Sequence, residues 1–136
     1  MRQLMWFRTD LRVHDNSALA AAMAAGPTVA LFLLSPGEWQ AHNDAPAKVD
    51  FWLRNLTALQ QQLHQLNVPL LIAKADTWSE APQVLARLCQ EHDIAVVQVN
   101  DEYGVHESRR DEACASLLGQ QGVAFKGHLD QLFFQP

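Results

Sequence analysis

Hydrophobic residues fall along this chain in two alternating patterns. Five short runs are nearly continuous: QLMWFR (3–8), TVALFLLS (28–35), VPLLIAKA (68–75), IAVVQVN (94–100) and VAFKGH (123–128). Between them apolar positions recur every three or four residues. NSALAAAMAAG (16–26) reads as an alanine-rich helix with Asp15 or Asn16 as its N-cap and Gly26 near its end. After the loop PGEWQAHNDAP (36–46), Trp52, Leu53, Leu56, Leu59, Leu63 and Leu66 mark the inner stripe of a long helix. A third helix spans 78–92, with Val84, Leu85, Leu88 and Cys89 inward, and a fourth covers 106–119. The run at 28–35, bounded by Pro27 and Pro36, is apolar throughout, as in a strand covered on both faces. Strands alternating with helices over short connections predict an α/β fold: a doubly wound, five-stranded parallel sheet, Rossmann-like, flanked by helices.

Length and composition narrow the picture. The 136 residues, 49% hydrophobic and 18% charged, suit one globular domain. The longest apolar run is far too short to span a bilayer, and the N-terminus lacks the form of a signal peptide, so a cytoplasmic protein without membrane contact is expected. The net charge of −5 argues against this segment gripping a nucleic-acid backbone, which needs a basic surface. Cys89 and Cys114 lack ligand spacing and read as core thiols in a reducing compartment.

In parallel sheets ligands bind beyond the carboxyl ends of the strands. Three loops follow strands here: 8–15, 36–46 and 100–107. They carry His14, His42, His106, Asp10, Asp44, Asp101, Glu102 and Glu107, so three of six histidines gather on one rim. A phosphate cradle needs glycines after the first strand, and RTDLRVHD has none, while GxGxxG and GxxxxGK[ST] are absent. A zinc site from His42, His106 and Glu107 finds no support in their spacing, and no nucleophile elbow is present. A planar heterocycle suits the rim better. A carboxylate offers two acceptors side by side, matching the N–H and amino group on a pterin edge. Glu107 is the candidate, with His106 and His42 stacking or donating nearby; its alternative role is a first-turn carboxylate that favours the helix dipole.

The strand end WFRTDLRVHDN raises a separate question. Arg8, Asp10 and Arg12 can close local ion pairs or bridge to a second packed domain, and the number of charges beside one strand end favours bridging. The apolar ending, with Leu132, Phe133 and Phe134, reads as the front of a longer chain cut in a linker, or as a tail folded onto the sheet edge.

WFRTDLRVHDNSAL (6–19) resembles the N-terminal signature of the DNA photolyase/cryptochrome family. EWQAHNDAP (38–46), VPLLIAKAD (68–76), NDEYGVHESRRDE (100–112) and LFFQP follow in the family's order, so the resemblance covers essentially the whole chain. It implies an antenna-binding α/β domain over 1–130 and the start of an interdomain linker over 131–136. The absent helical domain of the same chain would bind FAD, carry the electron-transfer tryptophans and hold damaged DNA. Trp6, Trp39, Trp52 and Trp78 would not be those tryptophans. The implied antenna is methenyltetrahydrofolate or, alternatively, 8-hydroxy-5-deazaflavin. For folate, His42 matches the histidine of the second loop and Glu107 the family's glutamate, whereas His106 stands where folate-type members have asparagine. The implied activity of the whole protein is that of a deoxyribodipyrimidine photo-lyase: light excites the antenna, excitation passes to reduced FAD, and an electron lent to a flipped-out cyclobutane pyrimidine dimer splits it. The segment alone would be inactive. Rival readings are a cryptochrome blue-light receptor and a stand-alone nucleotide-binding protein of the universal-stress or electron-transfer-flavoprotein type.

Overall fold

A computed structural model describes residues 1–37 and 46–129, without the side chains of 46–49, 51 and 52. His42, the tail 131–136 and the side chain of Trp52 lie outside the described residues. The described elements are β1 (Arg2–Phe7), α1 (Ser17–Ala25), β2 (Thr28–Leu34), α2 (Pro46–Gln65), β3 (Leu70–Lys74), α3 (Ala81–Glu91), β4 (Ile94–Asn100), α4 (Val105–Gln120) and β5 (Ala124–His128). All strands run parallel in the order β3-β2-β1-β4-β5, which is the doubly wound sheet expected from the alternation.

Strand side chains alternate between two faces, and each face has its own core. Leu4, Trp6, Leu31, Leu33, Val97 and Val99 meet Leu85, Leu88, Cys89, Cys114 and Leu118 of α3 and α4. Met5, Phe7, Ala30 and Phe32 meet Ala18, Leu19 and Ala22 of α1 and Leu56, Leu59 and Leu63 of α2. A leucine fully buried in this way contributes about 1.5–3 kcal/mol relative to an exposed one. The alanines of α1 let that helix sit close to the sheet. Both cysteines are free and buried, and burial pushes each thiol up to about 12.

Local boundaries follow from identifiable residues. Asn16, not Asp15, is the N-cap of α1: its Oδ1 accepts from Leu19 N at 3.0 Å. The expected third helix opens instead as a 3₁₀ turn, Trp78–Glu80, before α3. Pro82 stands in the first turn of α3, where its missing N–H costs no helical bond. Two members of the inner stripe of α2 are corrected. Leu53 and Leu66 are 43% and 41% exposed; Leu66 falls past the last helical residue, in a turn where Asn67 adopts the left-handed conformation.

Candidate functional site at the carboxyl rim

The strand order places a topological switch point between β1 and β4. From there the chain leaves β1 toward α1 on one face and leaves β4 toward α4 on the other, opening the crevice where such folds bind ligands. Here the crevice is closed by side chains. Asn100, the last residue of β4, donates through Nδ2 to Asp10 Oδ2 (2.7 Å) and Asn16 Oδ1 (2.8 Å). Its Oδ1 accepts from Ala18 N at 3.0 Å. Asp10 also accepts from Arg8 N at 2.8 Å. The backbone amides of Ala18 and Leu19 at the start of α1, the groups a nucleotide phosphate would meet, are therefore both occupied by asparagine oxygens. A nucleotide-binding protein of the phosphate-cradle kind is excluded on this geometry, not only by the missing glycines.

Beside that seal lies a buried charge network. Arg8 bonds Asp111 Oδ1 through Nη1 (2.7 Å) and the Asn100 carbonyl through Nη2 (2.6 Å). Arg110 bonds Glu102 Oε1 (2.7 Å) and Asp111 Oδ1 (3.1 Å). Thr9 Oγ1 donates to Glu102 Oε2 at 2.8 Å. The Arg110 guanidinium also lies between two indoles, 5.2 Å from the Trp6 ring centre and 4.7 Å from that of Trp78. Two arginines thus balance two carboxylates. Burial pushes the Glu102 carboxyl up, but Arg8 and Arg110, with the Thr9 hydroxyl, outweigh it and hold it below its ordinary range. For Arg110 burial acts downward, and Asp111 and Glu102 reverse it.

Arg8, Asp10 and Arg12, expected to bridge to another domain, each have partners within this one. Arg8 and Asp10 are buried, and their polar groups are used inside this domain, because the strand end points them at β4 and α4 rather than at solvent. Arg12 is half-buried and donates to the Asp15 carbonyl at 3.2 Å.

Glu107 and His106 are placed differently. Gly104 is the N-cap of α4, and no side chain caps that terminus. The Glu107 carboxylate folds back over Gly104, into the space that a side chain at 104 would fill. It is half-buried and makes no hydrogen bond or ion pair among the described residues. His106 next to it is exposed. His42 is outside the described residues, so its proximity is not part of this geometry. No cluster of three or more metal-ligating side chains occurs among the described residues.

On the other side of His106 runs an open groove of about 350 Å³ between the N-terminal ends of α3 and α4. Trp78, Ser79 and Pro82 form one wall, and His106, Arg109, Arg110 and Ala113 the other. The sequence alone does not single out Trp78, Arg109 or Arg110 for binding. The spacing of His106, Arg109, Arg110 and Ala113 at three, four and seven residues was the available signal for a shared helix face.

The site is thus an α/β sheet whose nucleotide crevice is shut and whose free polar groups lie at the start of α4. Against known families, the DNA photolyase model matches residues 3–136, and the chain belongs to the DNA photolyase family. It is 35% identical to the deoxyribodipyrimidine photo-lyase of Vibrio cholerae over 135 residues, covering 98% of this chain and 29% of that protein. It spans therefore less than a third of that relative, matching its N-terminal part. Its fold is that of a Synechocystis cryptochrome (TM-score 0.83, 22% identity, 95% of this chain and 27% of the other). An archaeal photolyase from Sulfolobus tokodaii, solved with two FAD molecules, superposes with a TM-score of 0.80 at 25% identity, over 95% of this chain and 29% of the other. No helix among the described residues is long and apolar enough to cross a membrane.

Proposed function

We propose that this chain is the antenna-chromophore domain of a deoxyribodipyrimidine photo-lyase and holds methenyltetrahydrofolate at the start of α4. The observation that carries the reading is Glu107. Glu102 and Asp111 on the same rim are committed to arginines, whereas the Glu107 carboxylate has no partner and sits beside the positive end of a 16-residue helix. Two acceptor oxygens held there match the paired N–H and amino donors of a pterin edge. A bidentate, charge-assisted contact of that kind contributes about 1.5–3 kcal/mol when partly shielded from water. His106 adds a ring that can stack and donate one hydrogen bond, a role open to imidazole as to an asparagine amide. His42 is assigned to the same ligand from the family resemblance alone.

When bound, the antenna supplies light absorption and passes its excitation to FAD. The FAD, the DNA contact and the repair of cyclobutane pyrimidine dimers belong to a helical domain that follows on the same chain, in keeping with the acidic charge of this one. A cytoplasmic setting goes with this reading.

The test is a titration of the protein, in its full natural length, with methenyltetrahydrofolate, followed by pterin absorbance and fluorescence. Saturable binding that Glu107→Gln weakens roughly tenfold is expected. Absence of binding, or binding indifferent to Glu107, sinks the folate reading and leaves 8-hydroxy-5-deazaflavin, or a second FAD as in the Sulfolobus protein, as the antenna. Repair of a dimer-containing oligonucleotide by the same preparation separates a photo-lyase from a cryptochrome receptor.

A further inference from the structure

We infer that the groove between α3 and α4 is the seat of the p-aminobenzoyl-glutamate arm of the folate, with Arg109 as the residue that reads its carboxylates. The inference rests on the folate reading above and extends it to a part of the ligand that Glu107 does not touch.

The argument begins with how the cations of α4 are used. Arg110 is buried and its charge is balanced by Glu102 and Asp111. Arg109, its neighbour, is exposed and makes no hydrogen bond, ion pair or ring contact among the described residues. It projects into the same groove as His106, one turn earlier on the helix. The groove lining is not a general ionic patch. Pro82 and Ala113 are apolar, and the indole of Trp78 is fixed by the Arg110 guanidinium 4.7 Å from its ring centre. A groove with an indole in one wall and the unpaired Arg109 in the other suits a planar ring that ends in carboxylates.

Two further features favour an anion. α3 begins on one side of the groove and α4 on the other, so both bring the positive ends of their dipoles to this rim. Carboxylates of this rim leave Arg109 unpaired: Glu102 and Asp111 are held by Arg8 and Arg110, Glu80 accepts from the Thr77 amide at 3.1 Å, and the exposed Glu112, three residues on, forms no ion pair with it.

His106 joins the two halves of the site. It adjoins Glu107 in sequence and lines the groove, so a ligand anchored by its pterin at Glu107 has this concavity as the adjoining space for its arm. Arg109 is thereby a specificity residue: it distinguishes folates by their glutamate content, while Glu107 recognises the pterin common to all of them.

Three ligands test this on the protein in its full natural length: the methylamide of methenyltetrahydropteroate, which has neither glutamate nor any carboxylate, methenyltetrahydrofolate with a single glutamate, and the same with a longer γ-glutamyl tail. The expected result is that the glutamate-free form binds roughly tenfold more weakly than the others, the worth of one charge-assisted contact. Arg109→Gln should abolish that difference and leave binding of the carboxylate-free methylamide unchanged, whereas Glu107→Gln weakens all three alike. Because Arg109 is exposed and unpartnered, the variant keeps its fold, which circular dichroism checks. Equal affinity for the three ligands, or a preference that survives Arg109→Gln, overturns the inference while leaving the pterin site standing. Failure of all three to bind overturns the folate reading and the inference together.

Discussion

Two neighbouring parts of one sheet rim use the same residue types to opposite ends. At the switch point, Arg8, Asp10, Asn100, Glu102, Arg110 and Asp111 are engaged mainly with one another. A few residues further along α4, Glu107, His106 and Arg109 are left without partners among the described residues. The difference teaches that charge at the carboxyl edge of a parallel sheet is not itself a sign of a binding site. What marks a site is charge that the fold leaves unspent.

Breaking the sealed half should have the largest effect. Asp111→Ala strips a carboxylate from both Arg8 and Arg110 and leaves two cations short of a partner, so we expect a loss of about 3 kcal/mol, toward the lower end for a broken buried pair because Asp111 keeps some solvent contact. Urea unfolding measures it, and a change under about 1 kcal/mol would mean the network is not the seal described here.

A smaller, pH-dependent effect belongs to Glu102. Its folded pKa is depressed, so the stability it confers is fully present above the ordinary value of 4.5 and is lost as pH falls below that through the folded pKa. Unfolding curves collected across the acid range should therefore fall less steeply for Glu102→Gln than for the parent. Parallel curves would contradict the depressed pKa.

The smallest effect should come from the open half. Glu107→Gln removes no partner and only a favourable interaction with the α4 terminus, about 0.3–1 kcal/mol at most. A melting temperature close to that of the parent, beside a clear loss of ligand affinity, would separate the two halves of the rim as sharply as their geometry does.

Much of this was legible in the sequence. The periodicity located the five strands and the four α-helices named above among the described residues, because continuous apolar runs and three-to-four spacing leave little choice between strand and helix over such lengths. Pro82 did not reveal the 3₁₀ turn before it, and Leu66 kept the helical rhythm after the helix had ended. Within the site, Glu107 stood out by type and by place on a rim loop. The role of Arg8 did not. Its partner Asp111 lies 103 residues away, and no local pattern encodes a bond of that reach. Asn100 carried a signal that went unused: a polar residue ending an otherwise apolar central strand implies that something polar waits inside.

The same separation has a consequence for how the domain is made. β1 leaves the ribosome before the two strands that flank it and ends in the middle of the sheet, pairing with β2 on one side and β4 on the other. At synthesis rates of about 5–20 residues per second, Asp111 emerges roughly 5–20 s after Arg8. Late in that interval, after β3 has emerged and before β4 follows, the three-stranded half-sheet has an open edge along β1 and an arginine at its tip not yet paired with Asp111. The charge that later locks the domain shut thus also guards the unfinished edge, since a cation beside exposed strand hydrogen bonds discourages pairing with a neighbouring nascent chain.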